Sequence, residues 1–299
     1  MTSARSLTLA AACAACAAAL AATSVPASAA GTAGTTGSAT PPSRYVALGD
    51  SYAAGSGVPD QSAGLCLRSN HNYPSLLAAR LRAATTVDVT CGGAKTKHMA
   101  EPHVYPVIGK VNDPQLGAVT ADTKLVTLTI GGNDLGSTDA GVAGPILTCV
   151  ALAQVAPWGS PCAWHYKDTL GNRVNDASGR VASTLREIRK RAPQAQIMVV
   201  GYPAVLPENE WDCLGKQPIT VFDAAFLRDT VKELNRMLAR EAKAGGAVYV
   251  DTYKPTLGHD ICSSDRWIAG IIPTEPSLPV HPTARGQQAL ADAVAAAIG

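Results

Sequence analysis

Residues 45–55 read YVALGDSYAAG, an apolar run that ends in a polar turn and is followed by small residues. The apolar run predicts a buried strand, and Gly49, Asp50 and Ser51 are residue types that favour turns. A strand that stops at a serine, with little bulk behind it, can hold the serine hydroxyl clear of the sheet. Ser51 is therefore either a candidate nucleophile or an ordinary turn residue, and the rest of the chain must decide between the two.

Further apolar runs follow, separated by segments with helical spacing. The predicted strands are Arg44–Leu48, Thr86–Thr90, Leu125–Ile130, Gln196–Val200 and Ala247–Val250. The predicted helices are Tyr73–Ala83, Val174–Ala192, Phe222–Ala244 and about Thr283–Ile298. Strands that alternate with helices imply parallel pairing and right-handed crossovers. The expected fold is α/β, a three-layer α/β/α sandwich with a five-stranded parallel sheet in the flavodoxin-like order 2-1-3-4-5.

Polar or glycine-rich turns follow the first three predicted strands. Ser51 ends the first, Gly92-Gly93 follow the second, and Gly131-Gly132-Asn133-Asp134 follow the third. His281-Pro282 opens the last helix after a long loop. Since sites in open parallel sheets lie beyond the carboxyl ends of the strands, these four segments are expected to meet at one edge.

These segments contain the groups that acyl transfer needs. A serine nucleophile requires a base, and its tetrahedral intermediate requires donors aimed at the oxyanion. His281 is the candidate base. The candidate donors are the backbone N–H groups of Ser51 and Gly93 and the side-chain amide of Asn133. Such chemistry needs neither a metal nor an organic cofactor.

At these residues the chain resembles the GDSL/SGNH hydrolase family of secreted esterases and lipases. Residues 49–52, with tyrosine in place of leucine, resemble the family's first block, and Gly93, residues 131–134 and His281-Pro282 resemble three later blocks. The resemblance covers nearly all of the expected folded chain. It implies an ester hydrolase in which Ser51 is the nucleophile, Gly93 and Asn133 belong to the oxyanion hole and His281 is the base.

One position departs from the family pattern. The family usually has an aspartate three residues before the histidine, and this chain has Leu278. A backbone carbonyl can also orient an imidazole, so we expect the Leu278 carbonyl to accept a hydrogen bond from Nδ1 of His281, which gives a Ser–His dyad. Glu275, Asp265 and Asp260 are the other candidates for orienting His281.

The N-terminus has the pattern of an export signal. Met1–Ala29 contains one basic residue, an alanine-rich apolar run and small residues before an expected cleavage site after Ala29. Residues 30–43 are rich in Gly, Thr, Ala and Pro, which predicts a disordered leader, and residues 44–299 form the expected hydrolase domain. No later apolar segment is about 20 residues long, so a secreted protein without an integral membrane span is expected.

Six cysteines remain after the signal, an even number that indicates three disulfides in an exported chain. Fifteen pairings are possible. The sequential one is expected because each neighbouring pair would close a long loop, and it joins Cys66 to Cys91, Cys149 to Cys162 and Cys213 to Cys262. A zinc site would need closer Cys or His spacings, and none occurs after the signal. His71, His98 and His103 also lack metal-ligand spacing.

The charge balance and the aromatic residues bear on the partners. Removing Arg5 with the signal leaves 24 basic residues against 23 acidic ones, which gives no support for nucleic acid as a partner. An ester substrate and a monomer are expected. The four tryptophans lie in long loops, where they wall an apolar cleft or cover the edge of the core: Trp158, Trp164, Trp211 and Trp267.

The expected substrate is a fatty-acyl ester, but two alternatives stay open. One is an O-acetyl esterase that acts on polysaccharide. The other is a secreted lipid- or glycan-binding protein on an inactive hydrolase scaffold.

Overall fold

A parallel sheet forms the centre of the fold in the computed structural model, which describes residues 41–138 and 141–298. The expected signal peptide and residues 30–40 of the expected leader lie outside the described residues. The strands are β1 (Tyr45–Gly49), β2 (Thr86–Asp88), β3 (His103–Tyr105), β4 (Gly109–Asn112), β5 (Leu125–Thr129), β6 (Gln196–Val200) and β7 (Val248–Val250). The helices are α1 (Ser51–Ala54), α2 (Tyr73–Leu81), α3 (Ala143–Val155), α4 (Pro161–Tyr166), α5 (Thr169–Arg191), α6 (Val221–Ala244) and α7 (Ala284–Ile298).

The sheet order is β2-β1-β5-β6-β7, and all four pairings are parallel. Counted over these five strands, it is the predicted order 2-1-3-4-5, which is thereby confirmed. Tyr45 pairs with Thr86 on one side and with Leu125 on the other, so β1 lies between β2 and β5. The carboxyl ends of these three strands therefore meet at one edge.

The alternating residues of β1 show how the three layers form. Val46 and Leu48 pack in the core cluster that holds the buried faces of α5 and α6. Tyr45 and Ala47 point the other way, into the cluster that holds the buried residues of α2 and α7. Successive strand residues face opposite sides of a sheet, and both faces of this sheet are covered. The predicted three-layer sandwich is confirmed.

The sequence pattern missed the elements that have little apolar periodicity. The antiparallel hairpin β3–β4 has strands of only three and four residues, and most of their positions are half-buried or exposed. Helix α3 is apolar on nearly every side, so it shows no face with a period of 3.6 residues. Helix α5 begins at Thr169, five residues before the predicted start at Val174. Leu170 is buried, so the side of the helix that faces the core continues on the N-terminal side of Gly171.

The six cysteines are bonded in the sequential order. Cys66–Cys91 joins the loop after α1 to the loop after β2, and Cys149–Cys162 joins α3 to α4. Cys213–Cys262 joins the loops that follow β6 and β7. All three bonds lie in the loops and helices beyond the carboxyl ends of the strands. Within the described ranges, no helix has both the length and the apolar character that crossing a membrane requires.

Candidate active site

Ser51 begins α1 directly after the end of β1, and it is almost fully buried. The side chain of Asp50 caps this short helix by accepting a hydrogen bond from the backbone N–H of Tyr52 at 3.0 Å. The turn is tight, because a Cβ atom on Gly49 would lie 2.7 Å from both the Thr129 carbonyl oxygen and the Cβ of Ala53. Glycine at 49 and a small residue at 53 therefore let Ser51 sit close against the sheet.

The imidazole of His281 contacts the Ser51 hydroxyl, as expected for a candidate base and its candidate nucleophile. Nε2 lies 2.7 Å from Oγ of Ser51, and Nδ1 lies 2.7 Å from the carbonyl oxygen of Pro279. A carbonyl only accepts, so Nδ1 carries the proton and Nε2 is left to accept from the serine hydroxyl. Burial lowers the pKa of His281 below its ordinary value, although the bond to Pro279 opposes that shift. This shift favours the neutral ring, the form that can accept a proton.

The prediction for Leu278 is wrong in its residue number. The Nδ1 atom faces the Pro279 carbonyl, whereas the Leu278 carbonyl accepts from the backbone N–H of His281 at 3.1 Å. The physical reason is a four-residue turn from Leu278 to His281, whose closing hydrogen bond occupies the carbonyl three residues before the histidine. The carbonyl of the next residue, Pro279, instead accepts from Nδ1 of His281.

The three carboxylates that were alternative orienters of His281 are engaged elsewhere. Glu275 binds the Arg266 guanidinium at 2.9 Å, and Asp265 binds Arg285. Asp260 accepts from the backbone N–H of Cys262 at 2.8 Å. The hydrogen bond that the structure gives to Nδ1 of His281 is therefore to a backbone carbonyl, the arrangement of a dyad.

We expect the variants Glu275→Gln, Asp265→Asn and Asp260→Asn to keep kcat within about threefold of the parent value, because none of these side chains bonds His281. Steady-state hydrolysis of a p-nitrophenyl ester measures this. The melting temperature of each variant is measured alongside, since Asp260 also accepts a hydrogen bond from the Cys262 N–H. A loss of two or more orders of magnitude in any one variant, with an unchanged melting temperature, would contradict the dyad.

The turns after β2 and β5 lie against the Ser51 turn. The Cys91 N–H donates to the Gly49 carbonyl at 3.1 Å, and the Asn133 Nδ2 donates to the Ala94 carbonyl at 3.0 Å. The Asn133 Oδ1 accepts from the Val142 N–H at 3.2 Å, so both ends of the amide are held. An amide nitrogen carries two hydrogens, and this bond uses one of them.

Asn133 and Gly93 differ in how directly the structure relates them to Ser51. Asn133 lines the same small cavity as Ser51. Gly93 lies one residue before Ala94 and has φ of 75°, a conformation that favours glycine. A Cβ atom there would lie 2.5 Å from the Tyr105 hydroxyl of the hairpin. Glycine at 93 therefore allows this hairpin to pack on the loop.

Sequence reasoning missed Tyr202, which links two of the converging turns. Its hydroxyl donates to the Asp50 carboxylate and accepts from the Gly132 N–H at 2.8 Å. Burial raises the pKa of Asp50 to about 7, against the opposing effect of the Tyr202 bond. Tyr202 follows Gly201 at the carboxyl end of β6, and a polar ring at that position was the available signal.

An apolar cavity adjoins the cavity that holds Ser51. Its volume is about 70 Å³, and with the adjoining space that is open to solvent it reaches about 580 Å³. The two cavities share Tyr52, Leu135, Val142, Val205 and Val231. The apolar cavity continues between α3, α5 and α6 along Ile146, Leu170, Ile219 and Leu227. Aliphatic side chains therefore form most of the lining of the space next to Ser51.

The tryptophans do not line either of these cavities. Trp158, Trp164 and Trp211 are exposed, and Trp267 stacks on His259 with the ring centroids 3.6 Å apart. The interpretation that tryptophans wall the cleft is therefore wrong, because aliphatic side chains of the helices take that position.

The remaining histidines make ring contacts or hydrogen bonds. The rings of His98 and His103 stack with centroids 4.0 Å apart, and His71 bonds the Pro59 carbonyl at 2.9 Å. In the part of the chain that the structure describes, no group of three or more His, Cys, Asp or Glu side chains could hold a metal ion.

Comparisons with known proteins agree on one family. The model of the GDSL-like Lipase/Acylhydrolase family matches residues 47–289. Lipase 2 of Streptomyces coelicolor is 38% identical over 265 residues, which cover 85% of this chain and 85% of that protein. The crystal structure of phospholipase A1 from Streptomyces albidoflavus NA297 has a TM-score of 0.68 at 30% identity, over 85% of this chain and 98% of the other. The extracellular lipase of Streptomyces rimosus has a TM-score of 0.64 at 30% identity, over 85% and 99%.

Proposed function

Because the chain belongs to the GDSL-like lipase/acylhydrolase family and is thus a carboxylic ester hydrolase, we propose that it cleaves fatty-acyl esters through an acyl-enzyme on Ser51. The observation that carries this proposal is the 2.7 Å contact between Ser51 Oγ and His281 Nε2, beside an apolar cavity. A graded series of p-nitrophenyl esters, from acetate to palmitate, tests it. An optimum at or above the octanoate supports the proposal, and an optimum at acetate favours the O-acetyl esterase alternative.

The proposed reaction has two steps. In the first, Oγ of Ser51 attacks the ester carbonyl while Nε2 of His281 takes the hydroxyl proton, and the alcohol leaves with that proton. In the second, water attacks the acyl carbon while His281 takes a proton from it; the bond from that carbon to Oγ then breaks, the carboxylic acid leaves, and His281 returns the proton to Ser51. The Pro279 carbonyl stabilises the imidazolium that forms in each step, the role that a carboxylate has in a triad.

The oxyanion is proposed to be bound by the N–H groups of Ser51 and Gly93 and by the amide of Asn133. The bonds from Asn133 to the Ala94 carbonyl and from the Val142 N–H fix that amide before substrate arrives. Donors held in place in this way need no reorganisation when charge develops. Tyr202 supports the same turn through Gly132.

The acyl chain is proposed to lie in the apolar cavity. Each buried CH₂ contributes about 0.8 kcal/mol, so a long chain gains affinity that acetate cannot. Val231 of α6 lines both this cavity and that of Ser51, so it lies at their junction. Bulk at Val231 would close the passage between them.

We expect Val231→Phe to lower kcat/KM for the octanoate relative to that for the acetate by about tenfold or more, since a phenyl ring fills the path of the chain but leaves room for an acetyl group. Steady-state kinetics on both esters measure the ratio. Val155→Phe is the matched control, because Val155 lies at the end of α3 with 79% of its surface exposed. Equal losses on both esters in Val231→Phe would place the acyl chain elsewhere.

We also propose that the protein is exported. Three disulfides support export, since such bonds persist in oxidising compartments. The N-terminal residue of the protein recovered from a host culture medium tests the cleavage expected after Ala29. Recovery of unprocessed chain from the cells alone would count against export.

A further inference from the structure

We propose that Tyr52, the residue after the nucleophile, is a positioning residue whose hydroxyl fixes the turn that presents the Pro279 carbonyl to His281. This inference rests on the proposed function of Ser51 and His281. In this way a chain with leucine at position 278 keeps its imidazole in the required orientation.

The turn that precedes His281 has the features of type II. Its closing bond runs from the His281 N–H to the Leu278 carbonyl, with Pro279 and Val280 as the central residues. Val280 has φ of 64°, and a positive φ at the third position distinguishes type II from type I. These two turn types differ by a flip of the central peptide, which carries the Pro279 carbonyl. The left-handed conformation of Val280 therefore sets which way this carbonyl points.

That conformation is unfavourable for valine. A β-branched residue with positive φ is strained, and it persists only where its surroundings hold it. Two backbone acceptors hold one side of Val280, because its N–H lies 3.1 Å from the Ala269 carbonyl and 3.3 Å from that of Gly270. The Tyr52 hydroxyl holds the other side by donating to the Val280 carbonyl at 2.6 Å, in a buried position.

Tyr52 is itself firmly placed. Its ring packs against the rings of His281 and Tyr202, with centroids 4.8 and 5.1 Å away. Its backbone carbonyl accepts from Nε2 of the buried Gln287 of α7 at 2.9 Å. One residue therefore connects the Ser51 turn to the turn of its base, and its hydroxyl is the only atom that phenylalanine lacks.

The test is Tyr52→Phe, which keeps the ring that lines the cavity. We expect kcat on p-nitrophenyl octanoate to fall by about tenfold, the size of one buried hydrogen bond, with KM within about twofold. Tyr45→Phe is the matched control, because Tyr45 is a buried tyrosine whose hydroxyl bonds Thr127 at 2.7 Å, at the other end of β1. It is expected to lose similar stability and to keep its kcat.

A second readout reports the orientation of His281 directly. The bond from Nδ1–H to the Pro279 carbonyl favours the protonated ring, so its loss lowers the pKa of His281 further. The pKa of Asp50, which accepts a hydrogen bond from Tyr202, is about 7. Two further carboxylates, Glu275 and Asp265, are paired with arginines. The dependence of activity on pH therefore reports other groups as well as His281. NMR titration of the histidine Cε1–H signals, assigned with His281→Ala, isolates the ring. We expect a downward shift in Tyr52→Phe and none in Tyr45→Phe.

The strain at Val280 supplies a double-mutant test. Glycine adopts positive φ without strain, so in Val280→Gly the turn depends less on the hydrogen bond from the Tyr52 hydroxyl. We expect Tyr52→Phe to lower kcat by a clearly smaller factor in the Val280→Gly background than in the parent. An unchanged His281 titration in Tyr52→Phe, or equal factors in both backgrounds, would overturn the proposal. The titration does not depend on turnover, so it remains informative even if the parent hydrolyses none of the esters.

Discussion

Replacing Ser51 with alanine is expected to lower kcat for a p-nitrophenyl ester by about 10⁴- to 10⁶-fold, and His281→Ala is expected to do nearly the same. The reason is the 2.7 Å contact between the two side chains, since Ser51 attacks the ester only as His281 takes its hydroxyl proton. The double variant is therefore expected to be no worse than either single variant. KM is expected to change little, because the apolar cavity stays intact.

Ser56→Ala is the matched control for this prediction. Ser56 is a buried serine that follows α1, and neither of the two cavities contains it in its lining. It is expected to keep kcat within about threefold of the parent value. A Ser51→Ala variant that keeps more than about one hundredth of the parent kcat, in protein free of contaminating esterase, would show that another group is the nucleophile.

The second large effect is expected at Asn133. Removing one oxyanion donor costs about 10²- to 10³-fold in kcat, and the side chain of Asn133 lines the Ser51 cavity with its amide held at both ends. Asn133→Ala is expected to show this loss in kcat with KM nearly unchanged, because the donor acts on the transition state.

A structural role of Asn133 is separated by a matched variant. Asn72 is also buried and bonded at both ends, to the Ser75 N–H and to the Asp88 carboxylate, at the start of α2. Asn72→Ala is expected to lower the melting temperature and to keep kcat within about threefold. If Asn133→Ala lowered only the melting temperature and not kcat, Asn133 would not be an oxyanion donor, and backbone N–H groups alone would bind the oxyanion.

The sheet could be predicted because its pattern is local. Buried parallel strands appear as short apolar runs, and the helices between them have apolar residues at 3.6-residue spacing. The order followed from requiring that the residues after the first three strands meet at one edge. Helix α3 and the hairpin β3–β4 were not predicted from the sequence. Helix α3 is apolar on nearly every side, and the strands of the hairpin are too short to show alternation.

The candidate site also contains residues that the sequence predicted and residues that it did not. Ser51, Asn133 and His281 stood out because each is a chemically active side chain within two residues of a glycine or proline, near the end of an element. The carbonyl on His281 could not be read from the side chains, since every residue has one. Its identity depends on Val280 having positive φ, and valine is a residue type from which that conformation is not expected. Tyr202 and the Tyr52 hydroxyl depend on contacts between residues more than 150 positions apart.

The central claim is that Ser51 is the nucleophile and that His281 activates it. Its most direct test is to treat the protein with diethyl p-nitrophenyl phosphate, and to follow p-nitrophenolate release and the mass of the proteolytic peptides. Oγ of Ser51 would attack phosphorus and expel p-nitrophenolate, while His281 takes the hydroxyl proton. We expect one diethylphosphoryl group per chain, on the peptide that contains Ser51, with none in Ser51→Ala and very slow labelling in His281→Ala. An active protein that stays unlabelled at Ser51, or that carries the group on another residue, would contradict the account.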